Sequence, residues 1–167
     1  LVGSEMCIRD RIIYCLIFIY SSLLSAQAND TIDKISLNGK WAILFDQENR
    51  GGVEKWHLKK EFEKHNNPLD IKVPSHWETI KKDYEGVVFY KKSFQIPDSW
   101  SEGVVFLHFD AVNYKTEVWV NDQGVGTHEG GFTPFSFQVD EVLKPGEINH
   151  IITVSYTHLT LPTISVV

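Results

Sequence analysis

The stretch that most constrains this chain runs from Thr116 to Val139. Thr116-Glu117-Val118-Trp119-Val120 is β-branched and aromatic, the composition of a strand. Asn121-Asp122-Gln123-Gly124 follows with turn chemistry, so the chain is predicted to reverse into a hairpin. Gly130-Gly131 breaks the pattern. After it Phe135, Phe137 and Val139 alternate with Ser136, Gln138 and Asp140, a period of two that means a strand with one dry and one wet face. Such a unit cannot bury its dry face alone, and the rest of the chain must supply its partners.

Those partners are legible as short extended pieces between breakers. Residues 41–45 read as a strand opened by the turn at Asn38-Gly39, and residues 46–52 as a loop. Residues 53–64 are charged, with Trp56 and Phe62 the only large apolar anchors, and are expected to be loop with one helical turn. Asn66-Asn67-Pro68 is a breaker. Residues 71–73 form a short extended piece stopped by Pro74, and residues 87–96 the longest strand, stopped by Pro97. Residues 104–109 are apolar on both faces and are expected to lie centrally. Gly124-Val125-Gly126 lacks the third glycine and the strand–helix context of a dinucleotide loop and reads as a turn. Ile148, His150 and Ile152 alternate with Asn149, Ile151 and Thr153, giving a last strand cut by the end of the native sequence. Many short strands joined by Gly, Pro and Asn turns imply an all-β antiparallel sandwich.

The two ends do not read as the same protein. Glu5-Met6-Cys7-Ile8-Arg9-Asp10-Arg11 can be written GAG ATG TGT ATA AGA GAC AG-; the complement, in another frame, encodes Val154-Ser155-Tyr156-Thr157-His158-Leu159. That oligonucleotide resembles a transposon end used to tag sequencing libraries. Residues 1–11 and 154–167 are therefore read as translated adapter and set aside. Residues 12–28 combine an uncharged apolar run with Ala26-Gln27-Ala28, the pattern of a signal peptide and its cleavage site, so the native protein is expected to be exported, periplasmic or extracellular. The run is too short to favour a stable membrane span.

Residues 29–153 then have the size of one domain. Both cysteines, Cys7 and Cys15, fall in the excluded segments, so no disulfide framework is expected. The net charge of −6 is unchanged by the trimming and argues against nucleic acid and anionic membranes as partners. The histidines show no metal-ligand spacing, and no metal or other cofactor is implied.

An ordered set of pieces carries a resemblance. Leu37-Asn38-Gly39-Lys40-Trp41, Val73-Pro74-Ser75-His76-Trp77-Glu78, Tyr84-Glu85-Gly86-Val87-Val88-Phe89-Tyr90 and the run from Phe109 to Phe135 resemble the N-terminal sugar-binding domain of glycoside hydrolase family 2. That family holds β-galactosidases, β-mannosidases and β-glucuronidases, and the likeness covers residues 36–152. It implies a jelly-roll-like, galactose-binding-domain-like sandwich with C-terminal strands missing, and the front of an enzyme hydrolysing O-glycosyl bonds in β-linked sugars. It also implies carbohydrate and the parent enzyme's remaining domains as partners. The family's acid/base and nucleophile glutamates lie in a barrel far downstream, so no catalytic residue is expected here and the fragment alone is expected to be inactive. The rival reading is a free-standing carbohydrate-binding module.

Glycoside hydrolysis usually needs two carboxylates flanking the sugar. Asp46, Glu48, Glu78, Asp83, Glu85, Asp110, Glu117 and Glu129 are each expected on solvated faces instead. The candidate substrate-binding pair is His128-Glu129, beside Gly130-Gly131. One reading makes it a loop reaching toward a sugar cleft, the other a tight turn whose polar groups satisfy backbone. In β-glucuronidase-like members the resemblance places the substrate-touching residues of this domain further on, in a His-Asp stretch beyond this sequence. Tyr84-Glu85-Gly86-Val87 stands where β-galactosidases carry Tyr-x-Asn-Val, with Gly86 replacing the Asn that lines the sugar pocket. That departure, and the Asp-x-Glu-Asn opening at Asp46 with Trp56 after it, resemble the β-glucuronidase branch more.

Among the aromatics, Phe94, Phe109, Phe135 and Phe137 are expected in the core. Trp119 is set apart, because alternation puts it with Glu117 on the face opposite Val118 and Val120. It is expected to be covered by a loop or by a neighbouring domain.

Overall fold

The computed structural model describes residues 33–65, 67–156 and the backbone of 164–166. The segments read as adapter at 1–11 and as signal peptide at 12–28 lie outside the described residues. The strands are β1 (Ile35–Ser36), β2 (Gly39–Asp46), β3 (Leu69–Val73), β4 (Val87–Gln95), β5 (Phe106–Phe109), β6 (Lys115–Val120), β7 (Gln123–Glu129), β8 (Phe135–Gln138), β9 (Ile148–Tyr156) and β10 (Ile164–Val166). They form two antiparallel sheets, one of six strands in the order β3-β2-β4-β9-β6-β7 and one of four in the order β1-β10-β5-β8. The expected sandwich is therefore present.

Alternation explains the core. From the six-stranded sheet Trp41, Ile43, Ile71, Val88, Tyr90, Val118, Val120 and Ile151 point inward, and from the other sheet Leu107 and Phe109 meet them. Phe109 is fully buried, while Phe94, Phe135 and Phe137 pack half-buried against the same core. The hairpin turn sits at Asn121 and Asp122, with φ of 50° and 67°, both left-handed as a two-residue type I′ connection requires. Gly124-Val125-Gly126 is not a turn but lies inside β7. Val125 is the extra residue of a bulge opposite Val118 and Trp119, which keeps the strand paired through Glu129.

One further expectation changes. Residues 104–109 are not buried on both faces: Val104 is 62% and Phe106 40% exposed, because no described residues cover the far side of the four-stranded sheet. The last strand, β9, lies centrally, paired with β4 on one side and β6 on the other, and in this chain continues to Tyr156 through the first three residues read as adapter. Val154 faces outward and Ser155 inward, in step with the residues before them.

The outer face of the six-stranded sheet carries its own apolar layer of Leu44, Phe89, Ile152 and Val154. Residues 47–65 cover it. The Asp46 carboxylate, buried at the end of β2, accepts the backbone N–H groups of Arg50 at 2.8 Å and Gly51 at 2.7 Å and turns the chain back over the sheet. Trp56 and Phe62 then insert, Phe62 from the single helical turn α1 (Lys59–Phe62). Burying a ring such as Phe62 contributes about 2–3 kcal/mol. The first N–H of α1, on Lys59, donates to Asp122 Oδ1 at 2.7 Å, so the hairpin tip caps the cover. Trp119 lies in this layer, half-buried and stacked on His57 at 4.6 Å between ring centroids. It is covered by a loop of its own domain.

Candidate functional site

Register brings distant segments to one end of the six-stranded sheet. Asp46 pairs with Val87, Val87 with Tyr156, Tyr156 with Lys115, and Lys115 with Glu129. The connections leaving this row are residues 47–52, 84–86, 111–114 and 130–134. They form a rim, and three of its four parts are pieces that carried the family resemblance.

The rim is held from below, in this chain partly by residues 155 and 156 of the segment read as adapter. Ser155 Oγ donates to the Asn113 carbonyl at 2.9 Å, and Tyr114 N–H to the Tyr156 carbonyl at 3.4 Å. Gly130 N–H donates to the Tyr114 carbonyl at 2.7 Å, joining two rim loops. Gly130 has φ of +142° and Gly86 +147°, values at which side-chain-bearing residues are strained. At Gly131 an added Cβ would stand 2.5 Å from Asn113 Oδ1, so that loop is packed as closely as glycine permits.

His128 and Glu129 are the last residues of β7, opposite Thr116 and Lys115, and so neither a reaching loop nor a tight turn. The half-buried His128 ring stacks on Phe135 at 4.0 Å, and its Nε2 lies 3.2 Å from Thr133 Oγ1. This fastens the loop 130–134 at both ends. Glu129 is exposed beside it.

That loop presents Phe132, 83% exposed, and Tyr114 on the adjoining loop is 49% exposed. Sequence reasoning did not single these two out as site residues. The available signal was Phe132 itself, an aromatic outside any alternation, held between Gly130-Gly131 and Thr133-Pro134.

The carboxylates sort unevenly. Glu48, Asp83, Glu85, Asp110 and Glu129 are exposed as expected, while Glu78 is half-buried with Oε2 3.8 Å from His76 Nδ1. Asp46 is not solvated but buried and committed to its loop. Glu117 is half-buried, with Lys115 Nζ at 3.8 Å, and is hydrogen-bonded to Tyr156. Burial, the charge of Glu117 and that hydrogen bond push the Tyr156 phenol up to about 12. Among the described residues no three His, Cys, Asp or Glu side chains are grouped to hold a metal ion. No described helix is long and apolar enough to cross a membrane.

The rim thus offers exposed aromatic faces, hydroxyl groups, backbone and a carboxylate on a rigid base, the groups that recognise a sugar ring. Residues 78–161, half of the chain, match the family model of the glycosyl hydrolases family 2 sugar binding domain. The chain belongs to that family. The matched span contains three of the four rim loops of the family 2 domain, at 84–86, 111–114 and 130–134. Among relatives, a β-glucuronidase of Paenibacillus borealis is 32% identical over 120 residues, 69% of this chain and 20% of the relative. A β-galactosidase of Thermoanaerobacter pseudethanolicus is 32% identical over 129 residues, 75% of this chain and 16% of the relative. A solved β-glucuronidase from Ruminococcus gnavus, in complex with D-glucaro 1,5-lactone, superposes with a TM-score of 0.72. It is 22% identical and matches 80% of this chain and 29% of its own, which shows the shared fold. The family 2 domain described here spans about a fifth of the length of the curated relatives it matches.

Proposed function

We propose that this domain is the front part of an exported enzyme that hydrolyses β-linked O-glycosides, with β-glucuronides favoured over β-galactosides. In this reading the rim of Asn113, Tyr114, His128, Glu129 and Phe132 walls the sugar cleft of a catalytic barrel carried elsewhere in the parent. The observation that carries it is the convergence of the family-bearing segments on one rigid rim that exposes Tyr114 and Phe132. His128 serves as a positioning residue for the 130–134 loop, and Glu129 and Phe132 face the substrate. Gly86 in place of a side-chain amide favours the glucuronide over the galactoside.

The purified chain is expected to show no turnover of chromogenic β-glucuronides, β-galactosides or β-mannosides. In the parent enzyme, Phe132→Ala is expected to raise KM at least several-fold with little change in Tm. Turnover by the chain alone, or a parent indifferent to Phe132→Ala, overturns the reading. The exposed aromatic pair also supports the rival, a free-standing carbohydrate-binding module. Saturable binding of neutral sugars by the isolated chain that is lost in Phe132→Ala, together with a native reading frame lacking a barrel, would select the module.

A further inference from the structure

Away from the rim, the connection between β1 and β2 holds a reactive dipeptide. Asn38-Gly39 is the one Asn-Gly pair in the sequence, and Asn38 is exposed. In such a pair the glycine nitrogen can attack the asparagine side-chain carbonyl and close a five-membered ring, because no side chain shields that nitrogen. Nothing lies within 4 Å of where a Cβ on Gly39 would stand, so the fold adds no obstruction there. The Asn38 backbone N–H donates to Ser36 Oγ at 3.3 Å, while no described residue hydrogen-bonds its side-chain amide. The other described asparagines lack this combination. Asn121 and Asn149 spend their amides on each other and on backbone, and Asn113 is buried. Asn49 precedes Arg50, and Asn67 precedes Pro68, which has no N–H.

The second observation is Lys92. It points to the core side of β4, its ammonium 5.8 Å from the Trp41 ring centroid. Its hydrogen bonds go to neutral carbonyls, those of Lys40 at 3.1 Å and Asn38 at 3.4 Å. Burial lowers its pKa. The Asn38 carbonyl belongs to the same peptide group as the Gly39 nitrogen. A cation at that oxygen stabilises the negative charge the amide takes on when its N–H ionises, and the ionised amide is the attacking form. The same ammonium, now held only by dipoles, would gain a counter-charge from a carboxylate made at residue 38.

We propose that Asn38 is a site of spontaneous deamidation, promoted by Lys92, whose product carboxylate becomes the ion partner of that lysine. The Gly39 nitrogen loses its proton to solvent and bonds to Asn38 Cγ. The Cγ–Nδ2 bond then breaks, and the side-chain nitrogen takes a proton from solvent and leaves as ammonia. Water opens the resulting succinimide at one of its two carbonyls. Attack at Cγ gives aspartate, and attack at the main-chain carbonyl gives isoaspartate. The net reaction consumes one water and releases one ammonia, with no oxidation or reduction. Either product replaces a neutral amide beside Lys92 with a full negative charge. The site goes beyond the proposed role of the rim and does not depend on it.

The test is incubation of the full chain in mildly alkaline buffer, with tryptic digestion at intervals and mass spectrometry of the peptide Ile35–Lys40. That peptide is expected to gain one mass unit well ahead of those holding Asn49, Asn113 or Asn149, and to split chromatographically into aspartate and isoaspartate forms. The rate should fall several-fold in Lys92→Met and largely recover in Lys92→Arg, which keeps the cation. In Asn38→Asp, the reaction's end state, NMR of the Lys92 ε-methylene should show it titrating at higher pH than in the unaltered chain. Conversion at Asn38 no faster than at the other asparagines overturns the proposal. An unchanged rate in a folded Lys92→Met overturns the lysine's promoting role, and an unmoved Lys92 titration in Asn38→Asp overturns the ion pair. Should Lys92→Met not fold, Asn38→Asp, altered only at an exposed residue, still decides whether the two side chains meet.

Discussion

Asn149 is fully buried, and its side chain uses its whole hydrogen-bonding capacity. Oδ1 accepts from Asn121 Nδ2 at 2.7 Å and Lys144 N–H at 2.8 Å, while Nδ2 donates to the carbonyls of Lys144 at 2.9 Å and Glu147 at 3.1 Å. Asn121 in turn donates to the Val142 carbonyl and accepts from His150 N–H. One amide therefore ties the turn before β9 to the hairpin tip between β6 and β7. Replacing Asn149 with Ala removes four bonds, each worth about 0.5–1.5 kcal/mol net, and leaves Lys144 N–H without that partner. Water entering the space recovers part of the loss. The balance is a destabilisation of about 3 kcal/mol, a large fraction of the ~5–15 kcal/mol typical of a domain.

Urea unfolding followed by tryptophan fluorescence measures it. With a slope of about 1.5 kcal/mol/M, the midpoint should fall by about 2 M at unchanged slope. Asn121→Ala should cost less, because Lys144 N–H and both carbonyls keep their partner. The double variant should cost less than the sum, since the two side chains share a bond. A loss below about 1 kcal/mol for Asn149→Ala, or strict additivity with Asn121→Ala, would refute the assignment of this network as the lock of that end of the sheet.

Tyr156 tests the electrostatics beside the rim. Its folded pKa is raised, so the protonated form's contribution is complete below the unfolded value near 10 and is lost as pH rises through about 12. Partial exposure reduces the effect to about 1 kcal/mol; burial also raises the Tyr84 and Tyr90 phenols, so absorbance at 295 nm should show several late steps, of which Tyr156→Phe should abolish the one near 12 together with this decline in stability. His57 is lowered, chiefly by burial against Trp119, so the domain should lose stability as pH falls from 6.5 toward the folded value. Imidazole NMR should place His57 below 6.5, and Trp119→Ala should move it back toward that value. Gly51→Ala puts a Cβ into the Phe89 ring and 2.8 Å from Asp46 Oδ2, and should cost about 2 kcal/mol or more by thermal unfolding. Asp122→Ala uncaps α1 and removes a partner from His150, 2.9 Å away, with an expected cost of about 1 kcal/mol in the same assay.

What was readable in the sequence is what local chemistry decides. The positive-φ pair Asn121-Asp122, the placement of Trp119 opposite Val118 and Val120, and the one-turn helix around Phe62 follow from turn preference, period two and isolated apolar anchors. What was not readable depends on partners far along the chain. Nothing near Asp46 signals that its carboxylate will be buried by a loop crossing the sheet. Glu117 looks like a wet-face residue until β9 brings Tyr156 beside it. Val104 and Phe106 look like core because their apolarity is local, whereas their exposure is set by the absence of a described layer beyond the smaller sheet. Gly124-Val125-Gly126 reads as a turn because a bulge hides the strand's period. For the candidate site, His128 and Glu129 lay in the right neighbourhood, but the aromatic rings that the neighbourhood exposes came to light only with the register.

The two ends of the six-stranded sheet are built on different principles. At the Asn149 end, side-chain amides saturate one another and the backbone, a device that fixes a turn and presents nothing to solvent. At the rim, the fastening is by backbone bonds from below, glycines at positive φ and a histidine stacked beneath its loop, while the rings of Tyr114 and Phe132 are left outward. An exposed Phe forgoes about 1.5–3 kcal/mol of possible burial. A loop whose backbone is so constrained does not expose it through slackness, since its base has little freedom to fold the ring away. The cost is local and the support is rigid, the combination expected of a surface shaped to meet something else. It follows that loosening the support should matter more than trimming charge nearby. His128→Ala, which frees the 130–134 loop, should weaken any sugar contact made by Phe132 more than Glu85→Gln does. The same order should appear as faster amide exchange at 131–133, with no change at 149–151.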